Sequence, residues 1–188
     1  MSSTYVYSTL LAIYIFVMWR TPQREPEEND KKIHGEERFL RIAMVLFSCW
    51  WISFLLPFFT PSLSCLPPLP FAIAGTIIFV AGSIIRTAAI RTLGSNFTYK
   101  LCIREKHDFV QSGLYRYIRH PSYTGTLLEA IGMMVAARSL YGLTLFLLSA
   151  TLLFIFRFYR EERMLVREFG PSYIKYQQNT KRLIPWLF

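Results

Sequence analysis

Tyr123–Phe156, Y-T-G-T-L-L-E-A-I-G-M-M-V-A-A-R-S-L-Y-G-L-T-L-F-L-L-S-A-T-L-L-F-I-F, is an apolar run too long for one membrane crossing and is interrupted by Arg138, Ser139 and Gly142. A helix crossing a bilayer needs about 20 apolar residues. The interruption therefore predicts a tight turn and two helices folded as a hairpin. Working outward, three further apolar runs, at about Ser3–Trp19, Phe39–Thr60 and Phe71–Ile90, each approach the length of a span. The first has neither a basic leader nor a small-residue cleavage site, so it reads as a span and not as a signal peptide. The expected fold class is an all-α integral membrane protein of about five transmembrane helices, the last two forming the hairpin.

Composition agrees with that class. The 188 residues are 53% hydrophobic and include 16 Phe, 11 Tyr and 4 Trp, with a mean hydropathy of +0.30, too apolar for a soluble domain of this size. A formal net charge of +9 in such a chain reports orientation and anionic headgroups before it reports nucleic acid, and no nucleic-acid motif accompanies it. Cys49, Cys65 and Cys102 fall in different segments without C-x-x-C or His-paired spacing, which predicts plain thiols and neither a disulfide framework nor a metal site.

The cations are distributed unevenly. Residues 1–19 contain no Lys or Arg, Arg20–Arg38 contains five, Pro61–Pro70 none, Arg91–Ser122 six and Arg157–Phe188 seven. With the first terminus outside, the three rich segments share the cytoplasmic side, as positive-inside bias requires, and Arg138 is the single exception. Arg20–Arg38 is mixed in charge and contains proline, which reads as a solvated connector; Pro61–Pro70 reads as a rigid uncharged loop on the opposite face. Residues 1–90 thus supply three spans with their loops, and the functional load falls on residues 91–188.

Two dense clusters lie there. In L-Y-R-Y-I-R-H-P-S-Y-T-G, Leu114–Gly125, Pro121 pushes His120 toward an extended conformation and suits the first turn of a following helix. Such a helix N-terminus, with Arg119, His120 and Tyr123 around it, can hold a carboxylate or phosphate. An aromatic and basic anchor at the headgroups is the equal alternative. In F-R-F-Y-R-E-E-R-M-L-V-R-E-F-G-P-S-Y, Phe156–Tyr173, helical spacing places Arg157, Arg160, Glu161, Met164, Leu165 and Glu168 on one face, and the helix should stop at Gly170–Pro171. That face carries a cation and an anion one turn apart, which a snorkelling arginine and a surface ion pair would also explain. Glu129, early in the fourth span, either lines the same cavity on the substrate side or has a structural partner.

The ordered set S-G-L-Y-R-Y-I-R-H-P-S-Y-T-G, a helical hairpin, R-x-x-x-E-E-x-x-L, F-G-P-S-Y-I-K-Y and a terminal R-L-I-P resembles the isoprenylcysteine carboxyl methyltransferase family. The resemblance covers roughly Gly94–Phe188, beginning with G-S-N-F-T-Y at Gly94–Tyr99, while the first ninety residues are similar only in being hydrophobic spans. It implies methyl transfer from S-adenosylmethionine to the C-terminal carboxylate of a prenylated cysteine, presented by CaaX-type proteins or by prenylcysteine small molecules. It implies a cytoplasmic cofactor pocket built from the C-terminal half. His107, Asp108, Phe109 and Val110, then Tyr115, then His120, Pro121, Ser122 and Tyr123, match positions that surround the cofactor, and Glu161 matches an acidic residue that contacts it. Arg157 matches the catalytic arginine that faces the substrate carboxylate. His107–Val110 reads H-D-F-V, whose first members are less diagnostic. In length the chain is nearer the compact fungal or prokaryotic forms than the animal ones. The implied location is the endoplasmic reticulum with the C-terminus cytoplasmic, or a prokaryotic inner membrane.

Other classes compete. Phospholipid N-methyltransferases resemble the same C-terminal architecture and use the same cofactor, but an amine acceptor does not call for an arginine clamp at Arg157. Membrane sterol reductases share an R-H-P-x-Y-like element with a nicotinamide cofactor, and the E-E-x-x-L and F-G-x-x-Y pieces fit methyltransferases better. A non-catalytic scaffold has no need of both ionisable clusters on one side of the bilayer. No G-x-G-x-x-G is present for a soluble-type dinucleotide domain.

Overall fold

A computed structural model describes residues 3–21, 31–32, 36–59, 67–98, 102–103 and 109–184. Among these, the helices are α1 Ser3–Arg20, α2 Glu36–Phe59, α3 Pro68–Leu93, α4 Pro121–Ala137, α5 Leu140–Phe169 and α6 Pro171–Asn179. A two-residue antiparallel pair, β1 Lys31–Lys32 with β2 Cys102–Ile103, qualifies the all-α expectation. It also ties part of the Arg20–Arg38 connector to a second loop, because backbone pairing does not depend on polar side chains that favour solvent.

Local chemistry sets the boundaries. Pro121 occupies the first turn of α4, and His120 before it has φ −126°, ψ 58°. It lies outside the α region, as a residue preceding proline must, but short of the extended ψ expected. The hairpin turn falls at Arg138–Ser139. Arg138 adopts the left-handed conformation (φ 58°, ψ 34°), and the Ser139 hydroxyl caps α5 by accepting from the Gly142 amide at 3.1 Å. Gly142 is thus the first turn of α5, not part of the break. At the far end Gly170, at φ 54°, ends α5, and Pro171 opens α6.

The buried helix is α4. It packs along α3 through two glycines on each: a Cβ on Gly82 would meet the Glu129 amide nitrogen at 2.6 Å, and one on Gly125 would meet Arg86 Cβ at 2.6 Å. Without side chains at these positions the two backbones approach closely, the usual way helices associate where lipid removes the hydrophobic drive. On the other side, Trp50 of α2 meets Phe146 and Phe154 of α5 edge-on, at 4.8 and 5.9 Å. Tyr7 of α1 is buried and donates to the Phe54 carbonyl.

Among the described residues two helical segments, Pro68–Asn96 and Leu140–Phe169, are long and apolar enough to cross a membrane, and only 22% and 33% of their apolar windows are buried inside the protein. A soluble core helix would be covered. Here Ile73, Ile77, Ile84, Leu148, Leu152 and Ile155 stand exposed, which suits lipid. Tyr5–Val17 and Met44–Phe59 are shorter apolar helices.

Candidate functional site

A cavity partly open to solvent lies where α4 begins and the charged part of α5 passes it. Its polar wall includes Arg86, Arg119, His120, Tyr123, Arg157 and Glu161. Tyr123 links the two ionic residues of α5: its hydroxyl donates to Glu161 Oε2 at 2.8 Å and accepts from Arg157 Nε. The Arg157 guanidinium also lies 5.4 Å from the centre of the Tyr123 ring, which holds it by cation–π attraction. One phenol therefore separates a cation from an anion.

His120 is buried and stacks on Phe158 at 4.7 Å. Its Nδ1 lies 3.7 Å from Glu161 Oε1, and its Nε2 lies 3.4 Å from Glu162 Oε1. The aromatic wall centres on Phe109, whose ring stacks on Phe169 at 5.1 Å and approaches Tyr173 and Tyr176 at 5.5 and 5.2 Å. Burial pushes the Tyr176 phenol up to about 12 and, together with nearby Glu161, raises that of Tyr115. Both stay neutral, so Tyr176 keeps the proton it donates to the Tyr115 carbonyl at 2.6 Å.

Of the residues expected from the sequence, Phe109, Val110, Tyr115, His120, Ser122, Tyr123, Arg157 and Glu161 line this one cavity. His107 and Asp108 lie outside the described residues. Pro121 is buried and shapes the start of α4. The α4 N-terminus is a narrower anion site than its sequence suggested. Pro121 has no N–H, and the Tyr123 and Thr124 amides both bond to the His120 carbonyl, at 3.1 and 3.2 Å. The Ser122 amide is what these bonds leave over. Nor does Arg119 point its charge there: its Nε donates to Glu162 Oε1 at 2.7 Å, because that carboxylate is buried beside it.

Glu129 does not line the cavity. It is fully buried, accepts from Ser83 Oγ at 2.8 Å, and faces Arg86 Nη1 at 3.7 Å. Of its two sequence readings, the structural partner is the one its surroundings match, because α3 is packed too closely there to leave a channel. Arg86 is the residue that sequence reasoning missed: it sits in the third apolar run, and its charge could be read only as an interruption. Phe169, Tyr173 and Tyr176 were also missed, although F-x-x-x-Y-x-x-Y repeats at helical spacing.

Comparison with known proteins points to the same region. The isoprenylcysteine carboxyl methyltransferase (ICMT) family matches residues 75–167. A protein-S-isoprenylcysteine O-methyltransferase of Dictyostelium discoideum is 30% identical over 176 residues, which cover 92% of this chain and 70% of that one. The chain belongs to the isoprenylcysteine carboxyl methyltransferase family. Another relative so named, from Tribolium castaneum, is 31% identical over 183 residues, 96% of this chain and 62% of its own length. One from Arabidopsis thaliana is 35% identical over 115 residues, with 58% of its length covered. The chain thus spans about 60% of these two relatives. A solved structure of a eukaryotic intramembrane Ras methyltransferase of the family superposes with a TM-score of 0.60 at 29% identity, covering 82% of this chain and 55% of that one. With its apolar helices, this family member is an integral membrane protein. The likeness also reaches into the N-terminal half, beyond the Gly94–Phe188 in which the sequence motifs were read.

Proposed function

We propose that this protein is an S-adenosylmethionine-dependent carboxyl O-methyltransferase acting on the C-terminal carboxylate of a prenylated cysteine. The observation that carries the reading is the Arg157–Tyr123–Glu161 chain, which sets a cation and an anion side by side in one cavity. A donor with an ammonium group and an acceptor with a carboxylate fit such a pair together. The residues present suit the cofactor: the Glu161 side chain, 24% exposed, can receive its ammonium, the Ser122 amide at the α4 N-terminus its carboxylate, and the Phe109, Tyr173 and Tyr176 rings its adenine.

When bound, S-adenosylmethionine supplies a methyl on a sulfonium, so methylation breaks one C–S bond, forms one O–C bond on an already ionised carboxylate, and moves no proton. Arg157 holds that carboxylate, with Arg86 as a second cation in the cavity wall. Tyr123 keeps Arg157 and Glu161 at fixed separation, which favours an in-line approach of the two substrates. Leu93, Met164 and Leu165 line the same cavity with apolar surface. They lower the polarity around two opposite charges that cancel in the reaction, which accelerates it. The prenyl chain, being lipid-like, reaches the cavity from between the helices.

The decisive assay offers the purified protein labelled S-adenosylmethionine with an S-farnesylcysteine analogue and phosphatidylethanolamine side by side. Label recovered in a base-labile ester supports this reading. Label in a stable amine replaces it with a phospholipid N-methyltransferase.

The proposal extends to topology. Five helices, α1 to α5, cross the bilayer, residues 91–188 carry the catalytic region, and the C-terminus faces the cytoplasm, with the endoplasmic reticulum as the membrane of a eukaryotic host. A cysteine at exposed Leu140 and one at exposed Ser172 should then react with membrane-impermeant reagent from opposite sides. Labelling from the same side would sink the orientation.

A further inference from the structure

Glu162 is 5% exposed, yet it is absent from the cavity wall that its neighbour Glu161 joins. Consecutive residues on a helix point about 100° apart. Glu162 accordingly turns behind His120, where it accepts from Arg119 Nε at 2.7 Å and Arg182 Nη2 at 3.0 Å and faces His120 Nε2 at 3.4 Å. Those partners come from both sides of a strap. After α6 the chain runs along the loop that opens α4: the Arg119 amide donates to the Lys181 carbonyl at 2.7 Å, the His120 amide to the Arg182 carbonyl at 3.0 Å, and Thr124 Oγ1 to the Leu183 carbonyl at 2.8 Å. Arg119 also donates through Nη1 to the carbonyls of Gln177, at 3.0 Å, and Thr180.

Resting on the methyltransferase reading, we propose that Glu162 is a positioning residue for the cofactor: it locks the strap Thr180–Leu183 and the His120 ring together, and so holds the loop before α4 that carries Tyr115 and His120. A buried carboxylate with two guanidinium partners is strongly held, and its removal leaves Arg119, Arg182 and His120 facing one another without a counter-charge. The strap then keeps its backbone bonds to the loop but loses the ionic tie between their side chains. The His120 ring keeps Glu161 and its stack on Phe158 but loses its partner at Nε2, and the cofactor wall loosens. Arg157 is held separately by Tyr123, so the acceptor side keeps its geometry.

The test uses the full chain in lipid nanodiscs, with S-adenosylmethionine binding measured by calorimetry and turnover measured on an S-farnesylcysteine analogue. Glu162→Gln should raise the Kd and KM for S-adenosylmethionine about tenfold or more, the scale of a lost charge-assisted bond, while kcat at saturating cofactor stays within about threefold. Glu168→Gln, exposed on the same helix, should change neither. If Glu162→Gln does not fold, Arg182→Gln carries the test, because its side chain is 39% exposed and Glu162 keeps Arg119. It should raise the cofactor KM about threefold, with recovery in Arg182→Lys. Unchanged cofactor affinity in the variants, or a fall in kcat at constant KM, overturns the inference while leaving the methyltransferase reading standing. Failure of the unaltered chain to bind S-adenosylmethionine overturns both.

Discussion

Two buried carboxylate centres divide this molecule between frame and site. Glu129 sits inside the bundle and reaches only α3, through Ser83 and Arg86. Its partners come from a helix that the glycine contacts already press against it. Glu162 sits where α5 leaves the apolar layer, and it gathers Arg119, His120 and Arg182 from two segments far apart in the chain. The first centre joins what packing has already joined. The second adds ionic contacts between two loops that backbone hydrogen bonds already bring together. A charge in an apolar interior must be satisfied to avoid a large cost, whereas a charge at the rim can be used to set geometry. Between them stands Glu161, exposed enough to serve a ligand.

Breaking the first centre should give the largest effect. Glu129→Leu leaves Arg86 facing an apolar side chain and should destabilise the fold by about 3–5 kcal/mol, read from thermal unfolding in detergent. Cofactor affinity of the remaining folded fraction should be unchanged. A variant of normal stability that binds cofactor poorly would move Glu129 into the site and erase the distinction. Next comes Arg157→Lys, which keeps the charge but loses the planar fork. Turnover on a prenylcysteine acceptor should fall by about 1.5–3 kcal/mol in barrier, with normal cofactor binding. Near-wild-type turnover would reject the carboxylate clamp and leave a snorkelling arginine.

Smaller losses sharpen the contrast around Glu161. Glu161→Gln should weaken S-adenosylmethionine binding by about 1–3 kcal/mol without unfolding the protein, since its carboxylate faces the cavity. Equal affinity in calorimetry would return Glu161 to a surface ion pair. Tyr123→Phe removes one hydroxyl shared by Arg157 and Glu161 and should cost about 0.5–1.5 kcal/mol in kcat/KM, felt for both substrates. A loss confined to one substrate would show that the phenol serves one partner and does not couple the two.

Much of this was legible in one dimension. The stop at Gly170–Pro171 and the start at Pro121 follow from residues whose backbone preferences act locally, and each is found there; of the expected break at Arg138, Ser139 and Gly142, the first two make the turn and Gly142 lies inside α5. The hydropathy of the runs, averaged over many residues, placed the chain in a membrane, and the order of short motifs pointed to its family. The i, i+4 spacing of Arg157 and Glu161 put both on one face of α5.

What the sequence could not determine is which charge meets which. Arg119 and Arg157 look alike as basic residues beside aromatic ones, and both line the cavity, yet Arg119 is spent on Glu162 and backbone carbonyls while Arg157 bonds the Tyr123 phenol. Glu161 and Glu162 are adjacent, and their roles separate only because the strap after α6 covers one side of His120. Arg86 enters the site because glycines bring α3 against α4, a contact between residues about 40 apart. Helix periods and turn preferences are short-range properties of the chain and can be read along it. Partner choice among buried charges is set by long-range packing, and only the tertiary structure decided it.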